Sequence, residues 1–244
     1  MGYVAWPREL AEIYDAVYAG EADPTVVDPI ADALVDLAAD GRALEFAVGT
    51  GRVALPRSAR GIPVEGIELS EDIAGRLRAK PGAEAVRVSI GDMTTTRVAG
   101  SFTLVYLVAN AIMNVTTQED QVAVFANAAA HLGPDGCFVV EVVVPQPAAV
   151  PPGAPGRVFT LDRDHVGIET YDDLVGQVAW SHHWMEMAGR LVKHAAPYRY
   201  VWPSELVLMA RLAGLRLRDR WAGWDRAPFT STSASQVAVF EKVG

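Results

Sequence analysis

Short apolar runs alternate with helical patterns through the first two thirds of the chain. Five runs have the length and β-branched content of buried strands, at 43–48, 64–69, 85–90, 102–108 and 137–144. Helical spacing of apolar residues fills the intervals, at 52–60, 70–79 and 117–131. Strands that alternate with helices predict βαβ units, and therefore a parallel sheet with helices on both faces.

The residues before this alternation predict helix. Apolar residues over 8–39 follow helical spacing, with a break near Asp23. Asp23 followed by Pro24 is typical of an N-cap and a proline in the first turn, so a second helix is expected to begin there. Asp40 and Gly41 are expected to end it.

The residues after the alternation predict a helix and a hairpin. A helix is expected over 203–213, where Gly214 stops it. Strands follow at 215–221 and 236–242. The segment between them is too short for a crossover helix, so these strands are predicted to pair antiparallel.

The pattern changes between residues 145 and 202. Five prolines in 145–156 indicate a loop or linker. The residues 157–202, which we name the lid segment, contain runs rich in Val, Thr, Tyr, Trp and His that predict antiparallel strands. We therefore expect one α/β domain, formed by residues 1–156 and 203–244, with the lid segment inserted to cover an acceptor.

Composition narrows the classes of partner. The formal net charge is −9, from 21 Lys+Arg against 30 Asp+Glu. Such a surface repels phosphate backbones, which argues against nucleic acid. No signal peptide or membrane-spanning run is apparent, and Cys137 is the only cysteine. We expect a cytoplasmic protein without a membrane partner, and the sequence leaves a homodimer open.

The strongest chemical signal is a glycine turn between the first strand and the next helix. Glu45 lies in the strand, and Gly49 and Gly51 lie in the turn. Glycines let a backbone approach a nucleotide closely, and the helix N-terminus offers free N–H groups. The turn also fits the dinucleotide fingerprint, so by itself it leaves NAD or a ligand-free turn open.

Polar residues follow the next three strands at the same edge. Glu68 could accept hydrogen bonds from ribose hydroxyls, and Asp92 could accept one from an adenine amino group beside Met93. Asn110 and Asn114 follow the fourth strand. Because ligands of open α/β sheets bind at the carboxyl ends of strands, this order predicts a nucleotide site. Asp92 is equally typical of a turn.

The segments LEFAVGTGR, VEGIELS, GDM, FTLVYLVANAIMN and LGPDGCFVVEVVVP together resemble the class I S-adenosylmethionine-dependent methyltransferases. In particular they resemble actinobacterial small-molecule methyltransferases. The resemblance covers roughly residues 10–145, and more loosely the C-terminal residues. It implies a Rossmann-like, seven-stranded, mostly parallel sheet whose last strand is antiparallel.

The resemblance also implies the cofactor, S-adenosylmethionine, and the residues around it. Tyr14 and Tyr18 match an N-terminal element that folds over the cofactor in relatives. The first glycine usual in the family is Ala47 here, and the usual aspartate of the fourth strand is Thr103. The implied cofactor residues are Tyr14, Tyr18, Glu45, Ala47, Gly49, Gly51, Arg52, Glu68, Leu69, Asp92, Met93, Val108 and Asn110.

The expected activity is methyl transfer to an oxygen or nitrogen nucleophile of a small-molecule acceptor, with secondary metabolism as a candidate setting. His182 and His183 in the lid segment are the candidate catalytic residues. Adjacent strand residues point to opposite faces, so only one can face the acceptor, and the pair cannot easily share a metal. No metal is expected.

Two other functions remain open. A non-catalytic protein that binds S-adenosylmethionine would keep the same fold, since function lies in the site. An NAD-dependent dehydrogenase is less favoured, because no tyrosine is followed four positions later by lysine.

Overall fold

The computed structural model describes residues 14–146, 150, 153–187 and 189–243. The helical spacing predicted from residue 8 begins outside these residues, since 8–13 are not among them, and helical structure is described at 14–17. No helix in the described ranges combines the length and apolar character that a membrane span requires.

Seven strands form the main sheet, in the order β10-β11-β5-β4-β1-β2-β3. Strands β1 to β5 run parallel, and β11 is antiparallel to both of its neighbours, as predicted. The strands of this sheet are β1 (Ala43–Phe46), β2 (Val64–Glu68), β3 (Val86–Ile90), β4 (Phe102–Leu107), β5 (Leu132–Val143), β10 (Leu215–Trp221) and β11 (Ser235–Lys242).

Helices cover both faces of the sheet. Side-chain caps begin three of them: Asp23 accepts a bond from Thr25 N at 2.8 Å, and Ser70 and Thr117 serve the same purpose. The helices are α1 (Pro24–Ala38), α2 (Ala54–Ala59), α3 (Glu71–Arg78), α4 (Gln118–His131) and α5 (Pro203–Leu212).

Strand β5 begins five residues earlier than the sequence pattern predicts, at Leu132 rather than Cys137. The glycines of this stretch favour a turn, but Leu132 pairs with Phe102 in extended conformation, with an irregular register beyond it. A Cβ on Gly136 would lie 2.8 Å from the carbonyl oxygen of Phe102. Glycine is therefore needed here for close strand approach, rather than for a turn.

A second, four-stranded antiparallel sheet contains most of the lid segment, in the order β6-β7-β8-β9. The antiparallel strands expected there are confirmed. The strands are β6 (Gly156–Leu161), β7 (His165–Asp173), β8 (Val178–Met187) and β9 (Arg190–Arg199).

The base of this second sheet is joined to the main domain. Ala179 and Tyr200 are buried in the same apolar cluster as Phe138 of the main sheet. The buried Arg199 donates to Glu205 Oε1 at 2.6 Å and to Gln121 Oε1 at 2.5 Å. The second sheet is therefore anchored at its base by both apolar packing and a charged network.

Candidate functional site

A cavity of about 170 Å³ opens at the carboxyl ends of β1, β2 and β4. Its wall combines the glycine turn, the strand ends and the first described residues of the chain. The lining residues are Tyr14, Asp15, Tyr18, Glu21, Ala22, Glu45, Ala47, Val48, Gly49, Thr50, Arg52, Val53, Ile67, Glu68, Leu69, Ile73, Lys80, Gly91, Met93, Val108, Ala109, Ala111 and Asn114.

The turn after β1 needs left-handed backbone at three positions. Ala47, Gly49 and Gly51 have φ values of +53°, +60° and +83°. A Cβ on Gly49 would meet only the Ala47 carbonyl oxygen, at 3.9 Å, so Gly49 faces open space. A Cβ on Gly51 would lie 3.0 Å from Leu55 and Leu77. Gly49 thus opens the cavity, whereas Gly51 lets the turn pack against its neighbours.

Glu68 is held at the end of β2 by two backbone donors. Its side chain is buried, and Gly49 N and Ser70 N donate to its two oxygens at 3.0 and 2.9 Å. Burial raises the pKa of the Glu68 carboxyl, against the lowering effect of these donors. The fixed carboxylate presents acceptor oxygens in a wall that also contains Leu69.

Glu45 is one of the most buried polar residues of the wall. It is 3% exposed, and the hydroxyl of Tyr106 donates to its Oε2 at 2.8 Å. Burial raises the pKa of Glu45 to about 8, although Tyr106 and nearby arginines oppose the rise. Arg52 also lines the cavity and donates to the Glu21 carbonyl oxygen at 3.1 Å.

The N-terminal segment is fastened over the glycine turn by Asp15. Thr50 Oγ1 and Lys80 Nζ donate to Asp15 Oδ1 at 2.6 and 2.9 Å, and Lys80 Nζ also donates to the Thr50 carbonyl. Burial alone would raise the pKa of Asp15, but these bonds and nearby positive charge lower it overall. Tyr14 and Tyr18, on either side of Asp15 in the chain, lie on the cavity wall with their ring centroids 4.7 Å apart.

Sequence reasoning did not find Asp15, Thr50 or Lys80. Their contacts join positions far apart in the chain, and although Thr50 lies within the glycine turn, the motif does not specify the residue between its glycines. The one signal in the sequence was at Lys80, because the chain has only three lysines.

Three of the predicted cofactor residues lie outside the cavity wall: Gly51, Asp92 and Asn110. Asp92 Oδ1 accepts bonds from the backbone N and the hydroxyl of Thr94, both at 2.6 Å. Asn110 Oδ1 accepts a bond from Val143 N at 2.7 Å. Gly91, Met93, Val108 and Asn114 line the cavity near these positions, and the cofactor contacts of Asp92 and Asn110 stay predictions.

His182 and His183 lie on opposite faces of β8, as strand alternation predicts. His182 stacks between Trp180 and Trp184 on one face. His183 lies on the other, with Nδ1 2.9 Å from His165 Nε2. Burial and the neighbouring histidines lower the pKa of His183 to about 4. Neither side chain lines the cavity.

The cavity is suited to a cationic ligand that carries hydroxyl groups. Four acidic side chains, Asp15, Glu21, Glu45 and Glu68, line it together with two basic side chains, Arg52 and Lys80. Glu68 offers acceptors to paired hydroxyls, and Met93 with Leu69 offers apolar surface. Within the described ranges, no group of His, Cys, Asp or Glu is arranged to hold a metal ion.

Known proteins share this architecture. Residues 43–136 match a family model described as a methyltransferase domain. The cypemycin N-terminal methyltransferase of a Streptomyces species is 25% identical over 206 residues, which cover 83% of this chain and 84% of the relative.

Solved structures extend the likeness to the whole chain. The CcbJ methyltransferase of Streptomyces caelestis has a TM-score of 0.84 at 29% identity, with 96% of both chains covered. CalS10, an amino pentose methyltransferase of Micromonospora echinaspora, has a TM-score of 0.72 at 22% identity, with 98% of both chains covered.

Proposed function

Because the chain is a class I S-adenosylmethionine-dependent methyltransferase, we propose that it methylates a nitrogen or oxygen nucleophile of a small-molecule acceptor in secondary metabolism. The observation that carries this proposal is the acidic cavity at the carboxyl ends of the parallel strands. The likeness to an N-terminal methyltransferase and to an amino pentose methyltransferase favours an amine as the acceptor.

Within this proposal the cavity wall holds the cofactor along its length. Glu68 binds the ribose hydroxyls, and Met93 packs against the adenine. Glu45 and Gly49 flank the methionine end of the cofactor, where the Glu45 side chain faces the positive charge of the cofactor. Two observations support this placement: backbone hydrogen bonds fix the orientation of Glu68, and the space in front of Gly49 is open. Tyr14 and Tyr18 cover the ligand.

S-adenosylmethionine supplies an electrophilic methyl group on a sulfonium, so the chain's residues need to position the acceptor and exclude water. Positioning alone can lower a barrier by up to roughly 7–11 kcal/mol. Tyr14 and Tyr18 close the cavity against solvent, and Asp15 holds them there. An amine that reaches the site uncharged needs no base to become nucleophilic.

His183 fits a role in shaping the acceptor site better than a role as base. A general base works best with a pKa near the working pH, and the pKa of His183 is lowered to about 4. Both of its ring nitrogens also have neighbours, His165 and Ser181. His182 is the other candidate from the sequence, and it lies among tryptophans on the opposite face.

Three finer expectations belong to the same proposal. A net charge of −9 supports the absence of a nucleic-acid partner. We also propose a cytoplasmic location, and a homodimer as the assembly to test by light scattering.

Turnover with matched acceptors tests the function. Purified protein with S-adenosylmethionine should form the demethylated cofactor when a small amine is supplied, and more slowly with the alcohol of the same skeleton. Mass spectrometry should find the amine heavier by one CH₂. Cofactor binding without turnover across the panel would favour the non-catalytic alternative, and binding of NAD without S-adenosylmethionine would favour the dehydrogenase.

A further inference from the structure

A buried polar path leads from the cavity into the core. Glu45 on β1 lies at the cavity and is 3% exposed, whereas Tyr106 on β4 and Arg57 on α2 are fully buried. The Tyr106 hydroxyl donates to Glu45 at 2.8 Å. The Arg57 guanidinium carbon lies 5.5 Å from the centroid of the Tyr106 ring.

Arg57 is an unusual residue for this position. Its Nη2 reaches the Leu34 carbonyl oxygen at 3.4 Å, while Nε and Nη1 are buried without a hydrogen-bond partner. No carboxylate of the described residues forms an ion pair with it. A buried guanidinium that has one long hydrogen bond and no ion pair opposes folding, so a methionine of similar length would be the more stable choice.

We propose that Arg57 is a positioning residue for cofactor binding: its buried positive charge lies against the ring of Tyr106, whose hydroxyl donates to Glu45, and it thereby favours the ionised form of Glu45 and orients that side chain toward the cationic end of the cofactor. The inference rests on the proposed function, since it requires the cofactor to lie against Glu45.

The charged groups around Glu45 support this assignment. Tyr106 and Arg57 face it from the core, Arg52 faces it from the turn after β1, and Glu68 faces it from β2. Arg52 is partly exposed and has the larger influence on Glu45, whereas Arg57 is fully buried, and salt screens the field of a buried charge much less. Burial, the largest influence on the pKa of Glu45, raises it; the hydrogen bond from Tyr106, then the charge of Arg52 and then the charge of Arg57 oppose that rise.

The sign of the pH dependence follows. The pKa of Glu45 is about 8, so near neutrality this carboxyl is mostly protonated. A cationic ligand binds the ionised form better, and binding therefore releases a proton. The affinity for S-adenosylmethionine should rise with pH and level off above the pKa of Glu45.

Calorimetric titration of S-adenosylmethionine across a pH series tests the proposal. Arg57→Met should move the levelling-off point up by about one pH unit, so affinity near pH 7 falls about tenfold and recovers at high pH. Arg60→Met, which removes a solvent-facing arginine paired with Asp28 and Asp32, should leave the profile unchanged. Arg57→Lys should restore most of the wild-type profile.

A double-mutant comparison separates this role from a structural one. In a Glu45→Gln background the pH dependence should disappear, and Arg57→Met should then have no further effect on affinity. An equal loss at every pH, or a loss that persists in the Glu45→Gln background, would overturn the proposal. If Arg57→Met does not fold, Tyr106→Phe supplies the same test, because it removes the hydroxyl that donates to Glu45 and leaves the charge of Arg57 in place. Wild-type protein that binds no S-adenosylmethionine would instead refute the proposed function.

Discussion

At the scale of single residues, the two glycines after β1 differ in what surrounds them. Both have positive φ, so an added side chain strains the backbone at either position by roughly 1–2 kcal/mol. Gly49 faces the cavity, whereas Gly51 is crowded by Leu55 and Leu77. The same substitution should therefore damage binding at one position and stability at the other.

Gly51→Ala should lower the free energy of unfolding by about 2–3 kcal/mol, because crowding adds to the backbone strain. Gly49→Ala should lower it by only about 1–2 kcal/mol and reduce cofactor affinity more, since its methyl enters the cavity. Denaturant unfolding and calorimetric titration measure the two effects. Ala47→Gly is the control, and it should not weaken binding. The opposite ranking would mean that Gly51 rather than Gly49 faces the ligand.

Most of the site residues that could be predicted from the sequence lie at the ends of strands. Gly49 and Glu68 were predicted because a parallel sheet brings its carboxyl ends together, and Glu45 because the resemblance to a family implies it. Arg57 and Tyr106 were not, since nothing in their spacing distinguishes a buried polar contact from ordinary helix and strand positions. Such contacts depend on tertiary packing across the chain.

At the scale of elements, apolar periodicity predicted every strand of the main sheet and the antiparallel pairing of β10 with β11. The start of β5 was wrong because glycine is ambiguous between a turn and close strand approach. The antiparallel strands of the lid segment were predicted, but the way in which Arg199 and Tyr200 join them to the main core was not.

The second sheet offers a pH test that compares the two faces of β8. The pKa of His183 is lowered to about 4, so the folded state resists its protonation while the unfolded state accepts a proton near pH 6.5. Stability from neutral His183 is therefore present above about pH 6.5 and is lost as the pH falls toward 4.

Replacing His183 by Phe should remove this part of the acid sensitivity. Between pH 6.5 and 4, the wild type should lose about 1–2 kcal/mol more stability than His183→Phe. This value is smaller than the full pKa shift would give, because solvent screens a partly exposed ring. His182→Phe, on the opposite face, should follow the wild type. Thermal unfolding over a pH series provides the measurement, and identical curves for all three proteins would show that His183 is not buried as described.

At the scale of the whole molecule, charge should influence how the cofactor arrives. The net charge is −9, and the carboxylates at the cavity outnumber the cationic side chains there. Fields of this kind speed the association of oppositely charged ligands and weaken with salt. S-adenosylmethionine carries one net positive charge that its demethylated product lacks.

The association rate of S-adenosylmethionine should fall as salt rises, whereas the rate of the demethylated product should change little. Stopped-flow fluorescence at several ionic strengths measures both, with the neutral product as the internal control. Equal salt dependence of the two ligands would contradict electrostatic steering.

The position of β11 has a consequence for how the protein is made. Strand β11 lies between β5 and β10, although it is the last strand of the described chain. While the ribosome is still translating the second sheet and α5, the edge of β5 has no neighbour on that side. Nascent chains should therefore depend on chaperones until Ser235–Lys242 emerges, and products of premature termination before that strand should aggregate or be degraded rather than persist as partly active enzyme.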